Sequence, residues 1–195
     1  MPLARLRQVH SNRCLAVAST TLPPGGVAGD GDALATAGAG LALGVATADC
    51  VPLIAVDPAA RSLAVVHAGW RGTLSGVLAS ALRCMIDEMG ARPERIVVAA
   101  GPAAGACCYQ VGDDVTAAFR RERPGHADRV IILKRPGVAH VDLIEANRLQ
   151  AADAGVDPAR FDSLGVCTIC SPNTTHSYRR DGAAAGRMWA LAMLV

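Results

Sequence analysis

Between Leu41 and His67 three apolar segments follow in quick succession, residues 41–47, 51–57 and 62–67. Each is too short for a stable isolated helix and is bounded by turn chemistry such as Asp57-Pro58. Apolar runs of this length without polar alternation are what strands covered on both faces look like, so the fold has to enclose them from two sides. The second and third segments are joined by a short turn, which predicts an antiparallel hairpin. Only six of the 195 residues are aromatic, whereas 38 are alanine, so Val, Leu, Ile and Ala must close the core. That length suffices for one domain with a sizeable interior.

The remaining elements fall around this centre. Residues 3–10 alternate loosely and predict a first strand, and residues 20–40, rich in Gly, Pro and Asp, read as a surface connection. Apolar positions Leu74, Val77, Leu78, Leu82, Met85 and Ile86 recur at helical spacing, which predicts one helix over 70–89 stopped by Gly90. A strand over 96–100, a short helix over 111–120 and strands over 130–133 and 138–141 follow. Asp142 with Glu145 forms an Asx version of the capping box and opens a helix to about Ala154. Strands over 164–169 and 188–194 close the chain. Strands and helices mix without a regular βαβ beat, which favours an α+β fold with a mixed sheet.

Charge and cysteine usage narrow the partners. The 19 basic and 17 acidic side chains leave a formal charge of +2, and the arginines are scattered rather than striped. Neither nucleic acid nor an anionic membrane is therefore expected as a partner. No apolar run reaches the roughly 18–20 residues a membrane span needs, and the opening residues lack the apolar core of a signal peptide. Seven cysteines without an export signal point to free thiols in a reducing, cytoplasmic setting. Monomer and homodimer stay equally open.

The chemistry concentrates in residues 47–72. Thr47-Ala48-Asp49-Cys50 lies at a strand junction, and His67-Ala68-Gly69-Trp70-Arg71-Gly72 lies where a strand meets a helix. The expected hairpin returns Cys50 and His67 to one sheet edge. His10, at the end of the first strand, is a third candidate. Two imidazoles and one thiolate leave a fourth tetrahedral position open, as in catalytic zinc sites; copper accepts the same donors. A buried Cys is also an ordinary small core residue, and a strand-end His is commonly just hydrogen-bonded. Arg179, Arg180 and Arg187, near Gly182 and Gly186, form a second cluster that suits either an anion clamp or a surface turn. Cys167-Thr168-Ile169-Cys170 has metal or redox spacing but no second Cys-x-x-Cys to complete it, so a strand with two inward thiols is expected there; Cys107-Cys108 is ambiguous. Residues 101–105 lack the Gly-Lys-Ser/Thr ending of a phosphate loop.

Gln8-Val9-His10, Ala48-Asp49-Cys50, His67-Ala68-Gly69-Trp70-Arg71-Gly72, Gly101-Pro102 and Ser177-Tyr178-Arg179-Arg180-Asp181 with Gly186-Arg187-Met188 together resemble the YfiH-like laccase-domain family. The resemblance runs from Gln8 nearly to the C-terminus. It implies a four-layer α/β/β/α arrangement with helices outside two mixed sheets, and His10, Cys50 and His67 as ligands of zinc, with copper as the other option. Members carry the label of multicopper polyphenol oxidases and are also described as purine nucleoside phosphorylases with adenosine deaminase activity. The implied reaction converts adenosine, inosine or methylthioadenosine with phosphate to free base and ribose 1-phosphate. Arg71 and Arg179 are the first candidates for phosphate, Arg180 and Arg187 the next, and Asp49 for orienting a ligand or moving a proton.

Relative to the family pattern, residues 1–195 make one such domain without the usual segment ahead of Gln-Val-His, and Thr175-His176 stands where many relatives carry an aromatic pair. Two alternatives accompany the nucleoside reading: a cysteine hydrolase or peptidoglycan-precursor editing enzyme with Cys50 as nucleophile and His67 as base, and a metal-binding protein without catalysis. Multicopper oxidation is disfavoured, because five histidines with no His-x-His pair supply too few imidazoles for several copper centres.

Overall fold

The computed structural model describes residues 2–18, 22, 23 and 25–195. Its strands are β1 (Leu3–Arg7), β2 (Cys14–Ala16), β3 (Val27–Asp30), β4 (Ala33–Thr36), β5 (Ala42–Thr47), β6 (Val51–Asp57) and β7 (Ser62–Ala68). Six more follow: β8 (Val97–Ala100), β9 (Gln110–Val111), β10 (Ile131–Arg135), β11 (Val138–Val141), β12 (Phe161–Ser163) and β13 (Met188–Met193). The helices are α1 (Trp70–Ser75), α2 (Val77–Met89), α3 (Asp113–Glu122), α4 (Pro124–Val130), α5 (Leu143–Asp153) and α6 (Tyr178–Asp181). The fold is α+β with mixed sheets, as expected. A six-stranded sheet runs β12-β8-β6-β7-β4-β2, a four-stranded sheet runs β13-β5-β1-β3, and β10-β11-β9 form a small third sheet.

The three apolar runs are β5, β6 and β7, and β6–β7 is the antiparallel hairpin, with Pro52 opposite His67 and Val51 opposite Ala68. The six-stranded sheet is covered on both faces, which explains its continuous hydrophobicity. Ala33, Ala35, Ala64, Val66 and Ala68 face a core shared with Leu78, Leu82 and Met85 of α2. Small side chains on the strands let the helix settle close to the sheet, which gives the alanine excess a packing role. The alternate residues Leu34, Leu63 and Val65 meet Leu43 and Val45 of β5 and Ala4 and Leu6 of β1 in a second core between the sheets. On the opposite side of the four-stranded sheet, Leu3, Trp189 and Leu191 are exposed.

Three expectations change. The stretch 20–40 is not merely a surface connection: β3 and the fully buried β4 lie within it, while Thr20, Thr21 and Pro24 fall outside the described residues. The helix over 70–89 is two helices, because Gly76 takes a left-handed conformation (φ 84°) that caps α1 and starts α2. Residues 164–169 are not a strand: β12 ends at Ser163, Gly165 is left-handed, and only Cys167 makes an isolated bridge, to Ala103. The Asp142 cap is as expected, its carboxylate accepting from the Glu145 N–H at 2.9 Å.

A buried carboxylate closes the far end of the hairpin. Asp57 accepts from the N–H groups of Ala59, Ala60 and Arg92 and from the Arg95 guanidinium. Burial alone would raise its pKa, but these donors outweigh it and bring the value down to about 2. Because the folded value lies below the ordinary one, the stabilisation is complete above about pH 4 and is lost as pH falls toward 2. Asp57→Asn should lower stability at neutral pH by about 2 kcal/mol. In urea unfolding, the gap to the parent protein should close between pH 4 and pH 2.

Candidate functional site

At one end of the two facing sheets the core opens into a cavity of about 500 Å³, lined by residues that include Gln8, His10, Cys50, His67, Tyr109 and Arg179. His67 is the penultimate residue of β7 and points to the side between the sheets, in phase with Leu63 and Val65. Cys50 directly precedes β6, so the hairpin register sets it beside His67. The loop after β1 supplies His10, whose Nε2 lies 3.8 Å from Cys50 Sγ. Ligand atoms of His10, Cys50 and His67 all lie within 4.8 Å of one another. The two imidazoles meet edge-on, with ring centroids 4.9 Å apart. A side chain at Gly69 would come within 2.8 Å of the His10 ring and 3.0 Å of Cys50 Sγ, so close packing of the trio requires glycine there.

Asp32 organises the trio, and sequence reasoning missed it. Its carboxylate is fully buried and accepts from the N–H groups of Val9, His10 and Ser11, from the Ser11 hydroxyl, and from His67 Nδ1 at 2.8 Å. The bond to Nδ1 fixes the tautomer and leaves His67 Nε2 facing Cys50. Burial alone would raise the Asp32 pKa and lower that of His67. Hydrogen bonds from His67 and Ser11 outweigh burial and take Asp32 down to about 2, and those with Asp32 and Cys50 take His67 up to about 9. Burial would likewise raise the Cys50 thiol, but the two imidazoles bring it down to about 7. A soft thiolate and two oriented imidazoles on one small cavity floor are a donor set that zinc or copper fits. Gln8 pins the first strand by bonding both backbone groups of Ala46.

His10 and Asp49 adopt positive φ (58° and 94°), two of the three non-glycine residues that do so among the described residues. Such strain is held only where surrounding contacts over-determine it. Asp49 accepts from the Thr168 hydroxyl at 2.6 Å and from the Arg179 N–H at 2.6 Å. Both carboxylate oxygens are thus occupied in tying two distant loops to the Cys50 turn. Arg179 lies over the Tyr109 ring and donates to the Gln110 carbonyl. Arg187 also lines the cavity, with one guanidinium nitrogen on the Ala185 and Gly186 carbonyls.

The other two arginines stand apart. Arg71 is not among the lining residues and stacks on Trp70, 4.3 Å from the ring centroid. Arg180 spends its guanidinium on the carbonyls of Thr168, Ile169 and Thr175 and on Asp181, which leaves it a clamp for the chain rather than a free anion donor. Thr47, Asp49 and Tyr178 also line the cavity, and the Thr47 hydroxyl is buried without a hydrogen-bond partner among the described residues. No helix among these residues is long and apolar enough to cross a membrane.

Comparison with known proteins places the chain among relatives. The chain is 41% identical over 189 residues to a purine nucleoside phosphorylase of Deinococcus radiodurans, covering 96% of this chain and 68% of that protein. It is also 41% identical over 159 residues to adenosine deaminase RL5 from an unknown prokaryotic organism, covering 80% of this chain and 59% of that one. The chain thus spans about three fifths to two thirds of the length of these relatives. The crystal structure of Bacillus licheniformis YfiH superposes with a TM-score of 0.93 at 30% identity, covering 99% of this chain and 74% of that chain. The family model described as multi-copper polyphenol oxidoreductase laccase matches residues 1–195. The chain belongs to this laccase-like family, whose YfiH fold it shares.

Proposed function

We propose that the chain is a zinc-dependent enzyme of purine nucleosides, cleaving adenosine, inosine or methylthioadenosine with phosphate and also deaminating adenosine. The observation that carries this reading is the pairing, in one cavity, of a borderline-soft ligand trio with two arginines and two tyrosines. The cavity lies within the usual size range for small-molecule sites, and the relatives' names supply the substrate class. His10, Cys50 and His67 would hold the cation, which when bound supplies Lewis acidity at the cavity floor.

The chain's own groups do the rest. Tyr109 and Tyr178 offer flat faces to a purine. Arg179 and Arg187 keep guanidinium N–H groups free for a phosphate at the cavity wall. In phosphorolysis a phosphate oxygen forms the bond to C1′ while the C1′–N9 bond breaks and the purine leaves with the electron pair and a proton. In deamination, water adds to C6 and ammonia leaves with the former C6–N bond pair. Asp49 acts as a positioning residue, since both of its oxygens are engaged in holding Thr168 and Arg179. Free thiols throughout suit a cytoplasmic enzyme.

One observation favours a second reading. Cys50, His67 and Asp32 are linked in the order nucleophile, base and orienting carboxylate, the arrangement of a cysteine hydrolase. Chelation separates the two: metal-free protein that keeps full activity would overturn the zinc reading, whereas loss on chelation with recovery on adding zinc supports it. Protein purified without added metal should contain zinc and release base from inosine only when phosphate is present.

Two substitutions sharpen the assignment. Asp32→Asn keeps the shape but weakens orientation of His67, and should reduce metal affinity 10–100-fold in a competition titration with a chromogenic chelator. Arg179→Met or Arg187→Met should raise KM for phosphate about tenfold or more, the value of one charge-assisted hydrogen bond, with deamination of adenosine largely spared.

A further inference from the structure

Four thiols outside the site above converge next to it. Cys107 and Cys108 lie in the turn before β9, and Cys167 and Cys170 in the segment after β12. We infer that Cys107, Cys108, Cys167 and Cys170 form a second metal centre, a closed tetrathiolate site for a thiophilic divalent cation of the zinc class. Their sulfurs all lie within 4.8 Å of one another, and those of Cys107 and Cys170 are 3.9 Å apart. Four thiolates around zinc at roughly 2.3 Å each stand a little under 4 Å apart, so the cluster needs only a slight contraction to close on an ion.

The surroundings are those of a ligand set. The Gly105 N–H donates to Cys167 Sγ at 3.3 Å, and the Cys170 N–H is directed at the same sulfur. Backbone donors of this kind orient a coordinating thiolate. A side chain at position 105 would lie 3.0 Å from Cys167 Cβ and 3.4 Å from the sulfurs of Cys107 and Cys167, so the approach of the two segments depends on glycine. The Cys-x-x-Cys stretch is a turn rather than a strand with two inward thiols, and this lets both of its sulfurs face the same point. All four thiols are free. Binding releases their protons, and four protein ligands leave no open position, which makes the centre structural rather than catalytic.

Its place in the molecule gives it a task. Thr168, between the two ligating cysteines of the turn, donates to Asp49, and Tyr109, next to Cys108, lines the cavity. A cation here would fasten both loops to each other and so hold the wall that carries Arg179. This proposal does not depend on the reading of the first site.

Metal content of the full chain, purified from zinc-containing medium and freed of loose metal by gel filtration, tests it. Cys107→Ser and Cys170→Ser should each lower the bound zinc by one equivalent per chain relative to the parent protein, whereas His67→Ala should leave the tetrathiolate ion in place. Cobalt loading should give the parent intense sulfur-to-metal charge-transfer bands that Cys170→Ser weakens. Equal zinc in the parent and both serine variants would overturn the proposal, as would a chain lighter by two hydrogens, with a Cys107–Cys170 disulfide and no metal at these residues. If the serine variants fail to fold, alkylation of the parent's thiols with the labelled residues located by peptide mapping decides: Cys107, Cys108, Cys167 and Cys170 should become reactive only after chelation, whatever Cys50 does, and equal reactivity of these four before and after would refute the site.

Discussion

The structure turns on one buried carboxylate. Asp32 sits fully enclosed between β3 and β4, and its charge is tolerable only because five donors surround it. Those donors come from two places far apart in sequence, the loop after β1 and the end of β7. Satisfying one charge therefore fixes the His10 loop against the hairpin and sets the tautomer of His67 in the same act. The carbonyl of Asp32 also accepts from the His67 N–H, so backbone and side chain align the same residue. One carboxylate thus holds two segments together, and weakening it is felt at both His10 and His67 rather than at one hydrogen bond.

Much of this was legible in the sequence, for identifiable reasons. The hairpin β6–β7 could be read because strands covered on both faces carry long apolar runs, here interrupted only at their ends by Asp57, Ser62 and His67, and because a short turn joins the two. From the hairpin, the juxtaposition of Cys50 and His67 follows as geometry. His10 is singled out only by the motifs around it taken together, since nothing local separates a metal-binding histidine from a hydrogen-bonded one. Asp32 was illegible, because an aspartate among glycines looks like turn chemistry, and only the three-dimensional structure shows it walled in by β4 and β7. The cysteine cluster escaped for a related reason: its halves come from separate segments, and an incomplete Cys-x-x-Cys looks finished only when Cys107 and Cys108 are brought to it.

The arginines show how composition and contact differ. Arg71, Arg179, Arg180 and Arg187 are equivalent as cations in a sequence, but their other bonds sort them. Arg180 is saturated by carbonyls and Asp181, and Arg71 leans on Trp70, whereas Arg179 and Arg187 border the cavity with donors in reserve. Gly76 makes a similar point for helices, since the periodicity of residues 70–89 is true of both halves but blind to a left-handed residue between them.

Asp49 joins parts of the chain separated by 119 and 130 residues. Closing such loops is entropically costly and slow, so contacts of this span tend to form late in folding. The ligand trio and Asp32, by contrast, lie within residues 10–67. As the chain emerges from the ribosome, the segment that carries these four residues is synthesised well before the one that carries Arg179. The floor and the wall of the cavity are thus completed at different moments in the life of the molecule, and the two hydrogen bonds of Asp49 mark the point at which the second is joined to the first.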